Sequence, residues 1–288
     1  MTGIIAQMNI YTPLELTKEP FSTSPDPAFF YHSPGHLSAK IRLEINIRLR
    51  RGLTLLLGDI GTGKTTLWRS LVTSFHRERD YIFHVILDPQ FADDGEFIAY
   101  LARLFNMSVP FASLQEAKEA IVHYLYRKAV DEQKTVILII DEGQKLTAGQ
   151  LEILRVLLNY ETNEYKMLQV VILSQLEILP VVRKMPNFVD RIVDTCLLEP
   201  LNEFETGALI HFRLKQAGYQ ASHELFDRSA VRRIHRHTKG YPRQIARVCH
   251  RVMEYVLTNR CEGVSSTLIN RIIDQDKIWG QHAISRNF

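Results

Sequence analysis

Gly58-Asp59-Ile60-Gly61-Thr62-Gly63-Lys64-Thr65-Thr66 lies between an apolar run at 53–57 and an amphipathic stretch at 67–75. It has the spacing G-x-x-x-x-G-K-[ST], with the strand before it and the helix after it that the pattern requires. The residue types follow from the chemistry of phosphate. Glycines free the backbone N–H groups to converge on phosphate oxygens, and the next helix turns its positive dipole end toward the same anion. Lys64 is the length needed to reach β- and γ-phosphates, and the Thr65 hydroxyl is a ligand for Mg²⁺. The stretch predicts binding of a nucleoside triphosphate.

A second element points the same way. Val136-Ile137-Leu138-Ile139-Ile140 is an unbroken aliphatic run that ends in Asp141-Glu142. Such a run reads as a strand buried on both faces of a parallel sheet. Ligands of open parallel sheets sit beyond the carboxyl ends of the strands, so both acids are expected beside the phosphate loop. Asp141 is expected to complete the Mg²⁺ shell, mostly through water. Glu142 is expected to orient or deprotonate the attacking water, the task that distinguishes a hydrolase from a nucleotide binder. A plainer reading has the two acids capping a helix that begins near Gly143.

Of 288 residues, 45% are hydrophobic and 23% charged, which is ordinary for a folded chain of one large or two small domains. No apolar run approaches the roughly 18 residues of a membrane span. Residues 1–10 show no basic segment followed by an apolar core. Cys196, Cys249 and Cys261 lack metal-type spacing and read as reduced thiols. Together these features predict a cytoplasmic protein. Charge is uneven: residues 211–260 hold eleven Lys/Arg against three acids, within a chain whose formal net charge is only +3. That surplus fits a nucleic-acid or anionic-lipid footprint, a solvated helical face, or a subunit side facing an acidic neighbour.

Residues 1–36 combine Pro13, Pro20, Pro25, Pro27 and Pro34 with Tyr11, Phe21, Phe29, Phe30 and Tyr31. The segment reads as an arm wrapping over the core near the nucleotide, with Phe21, Tyr31 or Pro34 facing a base or simply packed. Periodicity predicts helices over 39–51, 96–104, 114–129 and 147–160, and strands over 53–57, 81–87, 135–140, 167–173 and 191–198. Alternation of this kind means an α/β fold with a parallel sheet, here a core over 37–200. Beyond 201 only helical spacing remains, at 204–217, 222–238, 244–258 and 265–275, which predicts a small helical domain running to 288.

The phosphate loop, the strand ending in Asp141-Glu142, and Gly240-Tyr241-Pro242-Arg243 in the helical part together resemble an AAA+ P-loop ATPase with a C-terminal helical lid. The chain is more closely similar to the ATPase domain of the general secretion pathway protein A (ExeA-type) family. Pro20-Phe21-Ser22, Pro25-Asp26-Pro27, Tyr31 and Ser33-Pro34-Gly35-His36 resemble its N-terminal signature. Gly61-Thr62-Gly63-Lys64-Thr65-Thr66-Leu67 resembles its phosphate loop, and Asp141-Glu142-Gly143-Gln144-Lys145-Leu146 its second motif. Ser174-Gln175-Leu176-Glu177 and Asp190-Arg191-Ile192 follow in the same order. Asp59 stands where the family more often has Glu, and Leu176 where proline is usual.

The resemblance implies further roles. Gln175 would be a sensor placing a polar group near the γ-phosphate, and Arg243 a lid arginine reporting that phosphate. Arg191 would be an arginine finger reaching a neighbouring subunit's site. Cofactors would be ATP and Mg²⁺, with nucleotide at the subunit interfaces of a homo-oligomer. Secretion proteins of this family continue through a membrane span to a peptidoglycan-binding domain. This chain ends at Phe288, so a free-standing ATPase is expected, cytoplasmic or peripheral at the inner membrane. Its partner would be a membrane-bound component of a secretion or pilus system. A DNA-binding regulator of transposition, using the basic lid, and a nucleotide-gated interaction module with little hydrolysis remain open.

Overall fold

In the computed structural model, residues 14–22, 26–107, 111, 113–221 and 223–284 are described, with side chains through Gln275. Tyr11, Pro13, Pro25, the expected helix start at Ser222 and the last four residues lie outside them. The chain divides into two compact units. One takes the residues up to Ser33 together with Gly61–Gly63 and everything from Pro200; the other holds Pro34–Ile60 and Lys64–Glu199.

The second unit is built on five parallel strands, β1 (Leu53–Gly58), β2 (Tyr81–Ile86), β3 (Thr135–Ile140), β4 (Leu168–Ser174) and β5 (Ile192–Leu198), in the order β2-β3-β4-β1-β5. Its helices are α1 (Pro34–Arg48), α2 (Lys64–Ser74), α3 (Asp94–Leu104), α4 (Leu114–Tyr126) and α5 (Ala148–Leu157), with the short α6 (Leu179–Val182) and α7 (Pro186–Val189). Position in the sheet explains composition. The interior strands β1, β3 and β4 are buried along their whole length and are almost entirely aliphatic. The edge strand β5 alternates, placing Asp194 where Arg42 and Asn46 of α1 bond to its carboxylate. Register sets Leu57 beside Ser174 and Leu197, and Ile140 beside Ile172 and Ile86, so the carboxyl ends of the strands form one edge. Packing on the sheet, Phe97, Leu101, Phe105, Ile121, Leu151, Leu154 and Phe188 complete a continuous core.

Local detail departs from periodicity: the helix expected over 39–51 runs instead from Pro34 to Arg48. The helix expected over 114–129 stops at Tyr126 and passes into a π-helical turn, Arg127–Asp131. The helix expected over 147–160 ends at Leu157; its start is a capping box in which Thr147 and Gln150 bond each other's backbone N–H groups.

In the first unit, α8 (Glu203–Gln216), α9 (Arg228–Thr238), α10 (Pro242–Asn259) and α11 (Ser266–Ile284) pack around Leu209, Ile234, Ile245, Cys249, Val252 and Ile269. The helix expected from 222 begins only at Arg228, because Phe226 bridges to Val264 in extended conformation and Asp227 caps the new helix through Ala230 N–H. The N-terminal segment belongs to this unit. Leu16, Phe21 and Phe29 are buried in its core, and Thr17 N–H donates to the Ala217 carbonyl at 2.8 Å. Phe21 is 1% exposed and meets Phe226 edge-on at 6.0 Å, so neither face of its ring is left for a base. Pro34 opens α1, which suits its fixed φ and missing N–H. Tyr31 lies against Phe212. Among the described residues no helix is long and apolar enough to cross a membrane.

Candidate nucleotide site

β1 ends at Gly58, and α2 begins at Lys64, so five residues connect strand to helix. Gly63 has φ +103°, a conformation L side chains rarely adopt, which is why glycine is required as the chain enters α2. Lys64 is 9% exposed and donates from Nζ to the carbonyls of Gly58 at 2.6 Å and Asp59 at 3.0 Å. Its ammonium is therefore folded over the loop that would cradle phosphate. The first N–H groups of α2 have no partner within the helix and form a ready anion site.

At the second position of the helix, Thr65 Oγ1 donates to Asp141 Oδ2 at 2.8 Å, and one turn on Trp68 Nε1 reaches the same oxygen at 3.3 Å. Thr65 and Trp68 share a face of α2 because they are three residues apart. The other carboxylate oxygen of Asp141, Oδ1, accepts the Glu142 N–H at 3.0 Å. Asp141 is 4% exposed, so every donor it meets counts. A hydroxyl and a carboxylate in contact form a hard oxygen pair of the kind Mg²⁺ uses when substrate phosphates and water supply its remaining ligands. Among the described residues no group of three His, Cys, Asp or Glu could hold a metal alone. The donors present thus fit a magnesium shared with nucleotide.

Glu142 occupies the left-handed region at φ 55°, ψ 37°, ahead of a 3-10 turn, Gly143–Lys145. A non-glycine residue there stores on the order of 1 kcal/mol or more, and such strain concentrates at functional positions. A helical turn does begin at Gly143, with Glu142 in its N-cap position, but the Glu142 side chain makes no cap bond to it; α5 beyond is capped by Thr147. Gly143 is needed for packing, since a Cβ would come within 2.3 Å of Ile172 Cγ2 on β4. Gln144 donates from Nε2 to Glu142 Oε2 at 2.6 Å and accepts the Gln175 N–H at 3.1 Å. The acidic pair is thus tied to the corner where Gln175 follows β4.

The remaining expected residues fall in different surroundings. Arg191 bonds from Nε to Asn159 Oδ1 at 2.9 Å, an intramolecular partner that is neutral rather than acidic. Arg243 stands at the start of α10 with an exposed side chain; within its own unit its N–H donates to the Gly61 carbonyl at 3.3 Å. Two residues escaped the sequence reading. Trp68 was detectable in principle, being one turn beyond Lys64 and Thr65. Gln144 stood inside a quoted motif beside Glu142, but its other partner, the Gln175 N–H, lies thirty-one residues further along the chain.

Comparison with known proteins bears on the fold and on what the chain is similar to. Residues 47–182 match the family described as AAA domain. The chain is 33% identical over 243 residues to general secretion pathway protein A of Aeromonas hydrophila, an alignment covering 83% of this chain and 43% of that protein. It therefore spans less than half the length of this curated relative. Among solved structures it is similar to Cdc6p from Pyrobaculum aerophilum (TM-score 0.66, 18% identity, 86% of this chain and 69% of that chain). It is also similar to the Aeropyrum pernix ORC2 protein, solved as ADPNP–ADP complexes (TM-score 0.60, 15% identity, 84% and 67%). At those identities the likeness is one of fold.

Proposed function

We propose that this chain, an AAA+ protein related to general secretion pathway protein A, is an ATP-binding and ATP-hydrolysing switch. The observation that carries the reading is the Thr65–Asp141 contact beside the Gly58 to Thr66 loop, two oxygen ligands placed next to a lysine and a helix N-terminus. Backbone N–H groups of the loop and Lys64 bind the phosphates. Thr65 and Asp141 hold Mg²⁺, which when bound neutralises phosphate charge. Glu142 aligns a water for attack on the γ-phosphorus and takes one of its protons. The new bond to phosphorus forms as the β–γ bridging bond breaks, and the proton passes on to solvent as ADP and phosphate leave.

Gln175 and Arg243 act as sensors of the γ-phosphate, and Arg191 acts in trans in a homo-oligomer with nucleotide at the interfaces. In this account the arm preceding α1, the α/β core and the helical lid are the parts that the nucleotide couples. The work is done on a protein partner of a secretion or pilus system, cytoplasmic or at the inner membrane, through the difference in affinity between nucleotide states. Glu142→Gln tests the reading: nucleotide affinity should persist while phosphate release falls by about a hundredfold or more. Unchanged release would overturn it.

A second reading, a DNA-binding regulator, is favoured by one specific feature. Arg228, Arg232 and Arg236 recur every fourth residue on the exposed side of α9, opposite buried Ala230, Ile234 and Thr238. Only Arg232 of the three has an acidic partner among the ion pairs of the described residues, Glu203 at 3.2 Å. DNA affinity that falls steeply with salt would support this reading; no DNA binding at low salt would remove it.

A further inference from the structure

A single amide joins the Glu142 carboxylate to the end of β4. Gln144 Nε2 donates to Glu142 Oε2 at 2.6 Å, and Gln144 Oε1 accepts from the Gln175 N–H at 3.1 Å and from Ser174 Oγ at 3.3 Å. The chemistry of the partners dictates which way the amide faces. A backbone N–H can only donate, so the amide oxygen must meet Gln175, which leaves the NH₂ for a carboxylate that accepts. Both attachment points are themselves held. Glu142 is in the left-handed region, Gly143 is seated against Ile172, and Gln175 is extended at the start of the turn Leu176–Ile178. Ser174 is fully buried and shares its hydroxyl with the Gln175 carbonyl at 2.9 Å.

We propose that Gln144 is a positioning residue for Glu142, fixing the carboxylate relative to the Ser174-Gln175 corner. Displacement of that corner then moves the base, so the corner and the carboxylate act as one mechanical element. The inference rests on Glu142 being the group that takes the proton from water. It adds that this group is competent only while Gln144 bridges it to β4.

A double-mutant cycle in the full chain tests it, reading phosphate release, KM for ATP and ADP affinity by calorimetry. Gln144→Leu should lower kcat by about 10- to 100-fold while KM and ADP affinity stay within about twofold. Gln144→Glu keeps an oxygen for Gln175 but sets a second carboxylate against Glu142, and should lose at least as much; it also carries the test should the leucine variant not fold. Added to Glu142→Gln, Gln144→Leu should change the residual rate by less than about twofold, because its effect passes through the missing carboxylate. Turnover within about twofold of wild type in both Gln144 variants, or an equal loss in both backgrounds, would overturn the inference and leave the base assignment standing. Wild-type turnover in Glu142→Gln alone would remove the premise instead, and those two failures cannot be confused.

Discussion

Thr65 and Asp141 meet through a 2.8 Å hydrogen bond although they are 76 residues apart and β4 lies between the strands that precede them. The carboxylate also takes the Trp68 indole N–H, so α2 presents two donors to one buried acid. This arrangement makes the hydroxyl separable from the fold.

Thr65→Val keeps the shape of the side chain and removes the donor. Because Trp68 still satisfies Asp141, the loss in stability should be about 1 kcal/mol. The Mg²⁺ concentration for half-maximal turnover should rise about tenfold or more, since a ligand and its orienting contact vanish together. A magnesium titration of phosphate release, beside a urea melt, checks both halves.

Gly240 has φ +79°, and a Cβ there would lie 1.9 Å from the Leu201 carbonyl oxygen. The same two residues are bonded through their backbones, Leu201 N–H donating to the Gly240 carbonyl at 2.9 Å. Neither partner is a side chain able to swing aside. Gly240→Ala should therefore cost at least about 3 kcal/mol and lower the thermal midpoint by roughly 6–12 °C. A midpoint within about 2 °C of wild type would contradict this account of the turn.

His84, on β2, is buried against Phe105 and Tyr124, with a ring nitrogen 3.2 Å from the Tyr124 hydroxyl. Burial disfavours its charged form and pushes its pKa down to about 4 from the usual 6.5, against a smaller opposing bond to the Leu104 backbone. Because the folded pKa is depressed, the unfolded chain takes up the proton first as pH falls from 6.5 toward 4. Stability is lost across that window by up to about 3 kcal/mol, and below it both states are protonated. His84→Phe should flatten this component, so the gap between variant and wild type in urea melts should change between pH 7 and pH 4.5.

How legible the fold was depended on where each element sits. β1, β3 and β4 are interior strands whose two faces are both covered, so their sequences are unbroken aliphatic runs that announce themselves. The edge strand β5 is weaker in pattern because one row of side chains faces solvent. The start of α9 was misplaced since Leu225 and Phe226 are apolar at helical spacing yet pair with Val264, a partner that no window of local sequence contains. Phe21 illustrates the same limit: its role is set by Phe226, about two hundred residues later.

The chemistry of the phosphate loop was encoded locally, within nine consecutive residues whose glycines, lysine and threonine act through their own backbone and one short helix. Asp141 and Glu142 could be assigned to the same neighbourhood because parallel strands all end on one edge. That Trp68 shares Asp141 with Thr65, and that Gln144 turns its amide between Glu142 and Gln175, arose only from strand order and register. The Trp68–Asp141 and Gln144–Gln175 contacts join segments that are remote along the chain, and a hydrogen bond between them is decided by ångström-scale placement that residue pattern does not carry.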